Sequence, residues 1–179
     1  MIAVFLANGF EEIEALATVD ILRRARLNVV TVGVGSHTPV GAHSIPVTAD
    51  ITEDQLVISD CEAVILPGGM PGTLNLENSS VVQAALAYAM DNALPVAAIC
   101  AAPSILGHAG YLQGKKVTCY PGFEPDLIGA TLADVSVVTD GTITTASGAG
   151  VAVDFALELV RRLVSDETAE SIRRGIQCL

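Results

Sequence analysis

The chain has 179 residues, 51% of them apolar and 16% charged, with a net charge of −11 at neutral pH. That length suits one domain of ordinary size, about 100–200 residues, and a mean hydropathy of +0.54 excludes a disordered chain, which needs low hydrophobicity and high charge density. So acidic a field repels phosphate backbones, and nucleic acid is not expected as a partner.

An apolar share this large belongs either to a membrane protein or to a fold with strands buried on both faces. An uncharged stretch, 92–114, is nominally long enough to cross a bilayer. Pro95 and Pro103 lie inside it, with Gly107, His108 and Gly110 close behind. Proline removes an amide donor and clashes with the preceding turn, so the stretch reads as strand, turn and short helix. The N-terminus starts with an apolar strand and lacks the basic region of a signal peptide. A soluble, cytoplasmic protein without a membrane partner is expected.

In chain order, 2–7 is an apolar run ended by Asn8-Gly9, and a helix pattern follows over 13–26. Ile13, Leu16, Ala17, Ile21 and Leu22 share one face there, and the arginines at its end complement the helix dipole. A β-branched run covers 28–34, and 39–51 reads as a small hairpin or edge ribbon around Ser44-Ile45-Pro46. The strand at 62–66 stops at Pro67-Gly68-Gly69, and Ser79-Ser80 caps a helix reaching about Asn92. A strand at 95–99 leads into a helix with Pro103 in its first turn. Further strands are expected at 117–120, 135–139 and 142–146, then helices at 151–164 and 167–176. This alternation predicts an α/β domain with a mainly parallel sheet and helices on both faces. No linker or repeat divides it, so one domain over 1–179 is expected.

Ligands of such sheets bind beyond the carboxyl ends of the strands, which directs attention to three segments: 8–14, 67–72 and 100–103. Cys100 ends an apolar strand directly before a helix, with small residues at Ala98 and Ala102. That pattern fits a nucleophile elbow, where a sharp turn exposes one side chain. Helix N-terminal amides there would lower the thiol pKa. A buried, inert cysteine in a tight turn fits the same spacing. No Lys or Arg occurs from 27 to 114, Ala101 stands where related peptidases carry histidine, and His108 is too far along a helix to reach the sulfur. Backbone amides and a carboxyl group remain. Of Glu11, Glu12 and Glu14, acidic residues suited to a helix start, one facing the thiol would have a raised pKa and serve in proton transfer. Gly68-Gly69 offers free amides of the kind an oxyanion requires.

Other chemistries fit less well. The four cysteines and three histidines show no paired metal spacing, so no metal site is expected. A receiver-like acidic cluster would want an Asp where Pro67 stands. Ser147-Gly148-Ala149-Gly150 resembles a phosphate-binding turn, but Val153 replaces the third small residue of a dinucleotide fingerprint.

Taken together, 9–14, 19–25, 66–69, 98–103 and 147–150 resemble the ThiJ/PfpI family, in its parkinsonism-associated deglycase branch. The resemblance spans nearly the whole chain in family order. It implies a flavodoxin-like fold, a homodimer and no cofactor. Cys100 would be the nucleophile and redox-sensitive thiol, Glu14 would be protonated against it, and Gly69 and Ala101 would supply amides beside Gly68. Glu11 and Asp20 match the family's buried polar network, and Arg24 its arginine near the dimer-side pocket. Tyr120 stands where some members carry a histidine, and Ser147 where some carry an arginine at the pocket mouth. The implied activity is glyoxalase III-like or deglycase chemistry on small 2-oxoaldehydes. The alternative is a stress sensor in which Cys100 oxidises to sulfinate. Amidase or peptidase activity is disfavoured by the missing Cys-His dipeptide. Cys119, beside Tyr120, is a second thiol in sequence and reads as a packed strand residue.

Overall fold

The first apolar run forms a strand buried on both faces, and the rest of the sheet is laid down on it. In the computed structural model, which describes residues 1–178, β1 (Ile2–Ala7) sends Ala3, Phe5 and Ala7 to one side and Ile2, Val4 and Leu6 to the other. All six are at most 2% exposed. Successive strand side chains point to opposite faces, so an unbroken apolar run is what two-sided burial demands.

In chain order there follow α1 (Glu12–Arg24), β2 (Val29–Val34), β3 (Ile51–Thr52), β4 (Ala63–Leu66), α2 (Gly72–Glu77), α3 (Ser80–Asp91), β5 (Val96–Ile99) and α4 (Pro103–His108). Next come β6 (Lys116–Val117), β7 (Thr131–Leu132), β8 (Val137–Asp140), β9 (Ile143–Ala146), α5 (Ala152–Leu163) and α6 (Asp166–Gly175). Seven strands make the main sheet in the order β3-β2-β1-β4-β5-β9-β8. Every pairing is parallel except β8 with β9, whose short Gly141-Thr142 connection leaves no room for a crossover. Helices α1, α5 and α6 cover one face and α2, α3 and α4 the other, which is the expected flavodoxin-like arrangement.

Register brings the carboxyl ends together. Ala7 lies opposite Val34, Leu66 opposite Ala98, and Ile99 opposite Ala146. Residues 8–14, 67–72, 100–103 and 147–151 therefore leave the sheet along one edge.

Three segments differ from the sequence expectation. Within 39–51 there is a single antiparallel bridge, Val40 with Pro46, before the short β3. The expected strand at 117–120 shrinks to β6, in a separate two-stranded sheet with β7. Its remaining donors go elsewhere: Thr118 N–H to Thr145 Oγ1 (2.9 Å) and Tyr120 N–H to the Cys100 carbonyl (2.8 Å). Helix α2, which has no side-chain cap to announce it, falls outside the expected elements. No helix among the described residues is long and apolar enough to cross a membrane.

Gly107 lies where α4 meets the short turn Glu124–Asp126, and a β-carbon there would collide with the Asp126 carbonyl. Gly107→Ala should therefore destabilise the protein by about 1–3 kcal/mol through overpacking. The check is a lower urea midpoint with an unchanged slope.

Candidate functional site

Cys100 follows β5 with φ of 65°, in the left-handed region that a residue with a β-carbon adopts at a cost of about 1–3 kcal/mol. The surroundings hold it there. Its N–H donates to the Ala146 carbonyl at 2.9 Å and its own carbonyl accepts from Tyr120 N–H at 2.8 Å. Ala98 and Ala102 are fully buried, so larger side chains at those two positions would open the turn. The thiol itself is half-buried. This is the expected elbow.

Glu14 arrives from the first turn of α1. Glu11 caps that helix, its carboxylate accepting the Glu14 N–H at 2.7 Å. The Glu14 side chain turns inward and is 1% exposed. Its Oε2 accepts the Gly68 N–H at 2.8 Å, whereas Oε1 is buried with no hydrogen-bond partner among the described residues. Gly68 is what lets carboxyl and thiol meet: a β-carbon there would lie 2.6 Å from Cys100 Cβ and 2.8 Å from Glu14 Oε2. Gly69, with φ of 91°, and Ala101 direct their amides at the sulfur.

Burial pushes Glu14 up to about 7; the Gly68 amide and Cys100 act against that rise, and the charge of Glu11 adds to it. Burial also pushes Cys100 up to about 12, reinforced by Glu14 and opposed by the amides of Ala101 and Gly69. The amides act in the expected direction on the thiol, and burial and Glu14 outweigh them. The two groups share one dry site and titrate as a coupled pair, so a charge on either raises the pKa of the other. Among the described residues no Lys or Arg contributes to either shift.

The remaining expected residues are placed less tightly. Asp20 and Arg24 form an exposed pair within α1 (2.7 Å), so Asp20 is not part of a buried network in the single chain. Tyr120 is half-exposed and joins the site through its backbone. Cys119 is buried, and burial pushes it up to about 11, with Glu124 and Asp126 adding to the effect. It packs as expected, although outside a strand. His108 lies between Glu77 (2.6 Å) and Asp126 (3.4 Å), which raise its pKa and occupy both ring nitrogens.

Sequence reasoning missed one clamp. Buried Glu12 accepts the His43 N–H and bonds its Nδ1, both at 2.7 Å, which ties the 39–51 loop to α1. No local signal joins residues so far apart in sequence. Glu11, Glu12 and His43 bring ligand-type atoms within 4.8 Å of one another, but Glu12 is fully engaged by His43.

Comparison with known proteins agrees with this architecture. A sequence profile described as the DJ-1/PfpI family matches residues 1–162. Protein dj-1beta of Drosophila melanogaster is 33% identical over 97% of this chain and 94% of its own length. The structure of oxidized Toxoplasma gondii DJ-1 superposes with a TM-score of 0.94 at 31% identity, covering 98% of this chain and 97% of that one. The crystal structure of a cysteine-to-alanine mutant of a Salmonella typhimurium DJ-1 superfamily protein does so with 0.91 at 35% identity, covering 98% and 97%.

The raised Glu14 value has a consequence for stability. The folded protein keeps a proton that the unfolded chain, with a carboxyl near 4.5, has lost. The stability this group contributes is therefore complete below that value and falls as pH rises to 7 and beyond, by about 2–3 kcal/mol between pH 5 and 8. Glu14→Gln keeps an acceptor for Gly68 and should remove that loss. Urea unfolding of both proteins across this range measures it, and a stability difference independent of pH would contradict it.

Proposed function

The chain belongs to the DJ-1/PfpI family, and we propose that it is a cysteine enzyme that needs no cofactor and converts small 2-oxoaldehydes to 2-hydroxy acids. Methylglyoxal and glyoxal, or their early adducts with amino and thiol groups, are the substrate class. The observation that carries this reading is the buried, unpartnered carboxyl oxygen of Glu14, on a side chain that bears directly on the elbow thiol.

The chemistry follows from that pair. Glu14 accepts the thiol proton as sulfur attacks the aldehyde carbon. The C–S bond forms, the carbonyl π pair moves to oxygen, and the amides of Gly69 and Ala101 face that oxyanion. Returned to the oxygen, the proton completes a hemithioacetal. Glu14 then takes the proton from that carbon, the electrons pass through an enediol, and the proton is delivered to the neighbouring carbon. The product of this shuttle is a thioester of a 2-hydroxy acid. Water adds to the thioester, the C–S bond breaks, and the thiol regains its proton.

A second reading is supported by the same thiol and amides: Cys100 as a redox sensor, oxidised by peroxide to sulfinate while peroxide is reduced to water. The T. gondii relative was solved in an oxidized form. Four free cysteines fit a reducing, cytoplasmic setting for either role.

We also propose a homodimer. Ile13, Leu16 and Ile45 are 58%, 38% and 50% exposed, and Ile13 and Ile45 wall a hollow of about 250 Å³ beside Glu11 and Glu12. Large apolar side chains grouped this way mark an interaction surface. Sedimentation should give twice the chain mass, and Ile13→Asp should shift it to the monomer.

Conversion of methylglyoxal to lactate tests the enzyme directly. Cys100→Ser should abolish turnover, Glu14→Gln should lower it by about 10²–10⁴, and wild-type kcat/KM should rise with pH through about 7 as the pair loses its first proton. Variants that turn over at the wild-type rate would sink the mechanism. Intact mass after mild peroxide is read alongside: oxygen added at Cys100 alone, with no aldehyde turnover, favours the sensor.

A further inference from the structure

The peptide of Cys100 is anchored on both sides by segments that then diverge. Ala146, which accepts its N–H, is followed directly by Ser147; Tyr120, which donates to its carbonyl, is followed by Pro121. Between these segments opens a hollow of about 370 Å³, lined by Tyr120, Pro121, Ser147, Gly148, Ala149 and Val151. Among the described residues, no charged side chain lines it. The Tyr120 ring stands against Gly148, where a β-carbon would lie 3.3 Å from its Cδ2, and half of the Tyr120 surface stays open.

We propose that this hollow seats the substituent on the substrate's 2-oxo carbon, and that Tyr120 is the residue that selects it, in favour of aromatic 2-oxoaldehydes over methylglyoxal. The proposal rests on the enzyme reading above and names its substrate class. Three features support it. The hollow falls in the size range of pockets for drug-sized ligands, about 300–1,000 Å³, so it has room for a phenyl group, which displaces more of its water than the methyl of methylglyoxal does. An aromatic ring offers Tyr120 an offset or edge-on partner over a glycine floor that brings no side chain into the way. An uncharged lining gives an anionic substituent no counter-charge, which disfavours 2-oxo acids with a second carboxylate. Tyr120 touches the substituent and not the reacting carbons, so it determines specificity and takes no part in bond making.

The test separates binding from turnover. Phenacyl chloride and chloroacetone present the same reacting group with a phenyl or a methyl substituent. Each alkylates Cys100: the thiol proton passes to Glu14, the S–CH₂ bond forms, the C–Cl bond breaks, and chloride leaves with the electron pair. Second-order rates are divided by those for free glutathione. Wild type should favour phenacyl chloride by about tenfold with saturation. Tyr120→Ala should erase the preference by lowering the phenacyl chloride rate more than the chloroacetone rate, and Tyr120→Phe should restore it. A normalised ratio near one in wild type, or a preference that survives Tyr120→Ala, overturns the proposal. Steady-state turnover of phenylglyoxal against methylglyoxal is measured on the same proteins. Absent turnover with an intact alkylation preference removes the enzyme reading and leaves the subsite standing. Turnover without the preference does the reverse.

Discussion

A buried carboxyl and a thiol meet across a glycine, and the surrounding structure serves that contact. Glu14 leaves the first turn of α1 and Cys100 leaves the end of β5, and only the missing side chain of Gly68 allows them to face each other. The contact is costly in isolation. Glu14 is almost wholly removed from water, one of its oxygens has no partner, and Cys100 holds a left-handed backbone. Such features persist only where the surroundings over-determine them. Here that means both polar groups of the Cys100 peptide bonded to neighbouring segments and the Glu14 amide capped by Glu11.

What offsets those costs is the sheet beneath. Each fully buried Phe, Leu, Ile or Val contributes about 1.5–3 kcal/mol through removal of apolar surface from water, and β1, β4 and β5 supply such residues to both faces. A rigid, two-sided core also fixes the relative height of the strand ends. Because Leu66 pairs with Ala98 and Ile99 with Ala146, the loops that follow depart together. A slip by one residue would send Ala98 and Ile99 to the wrong faces and Cys100 away from Glu14. Core and site are thus one registration problem.

Half of this arrangement is visible in the sequence. Unbroken apolar runs such as 2–7 and 95–99 declare buried parallel strands, and the small residues around Cys100 declare a tight turn, because both are local steric facts. The Cys100–Glu14 pairing is legible only by resemblance, since no spacing in the chain joins residues so far apart. Three features are not legible. The strand expected at 117–120 loses its ladder to Thr145 and Cys100, partners that exist only after folding. The His43–Glu12 clamp likewise depends on a loop returning to α1. Helix α2 carries no side-chain cap and too few residues for a periodic pattern. The upward shift of the thiol escapes the sequence for a related reason: amides at a helix start lower it, but burial and the facing Glu14 outweigh them, and both belong to tertiary structure.

That reversal changes how the absence of cations near Cys100 should be understood. A neighbouring Lys or Arg would stabilise a permanent thiolate, open to any passing electrophile or oxidant. In the proposed mechanism, with only amides and Glu14 at hand, the sulfur becomes nucleophilic as its proton moves to the carboxylate. In that mechanism charge then develops on the attacked oxygen, beside the amides of Gly69 and Ala101. Stabilisation reserved for charge that appears during reaction lowers the barrier, whereas stabilising a resting anion does not.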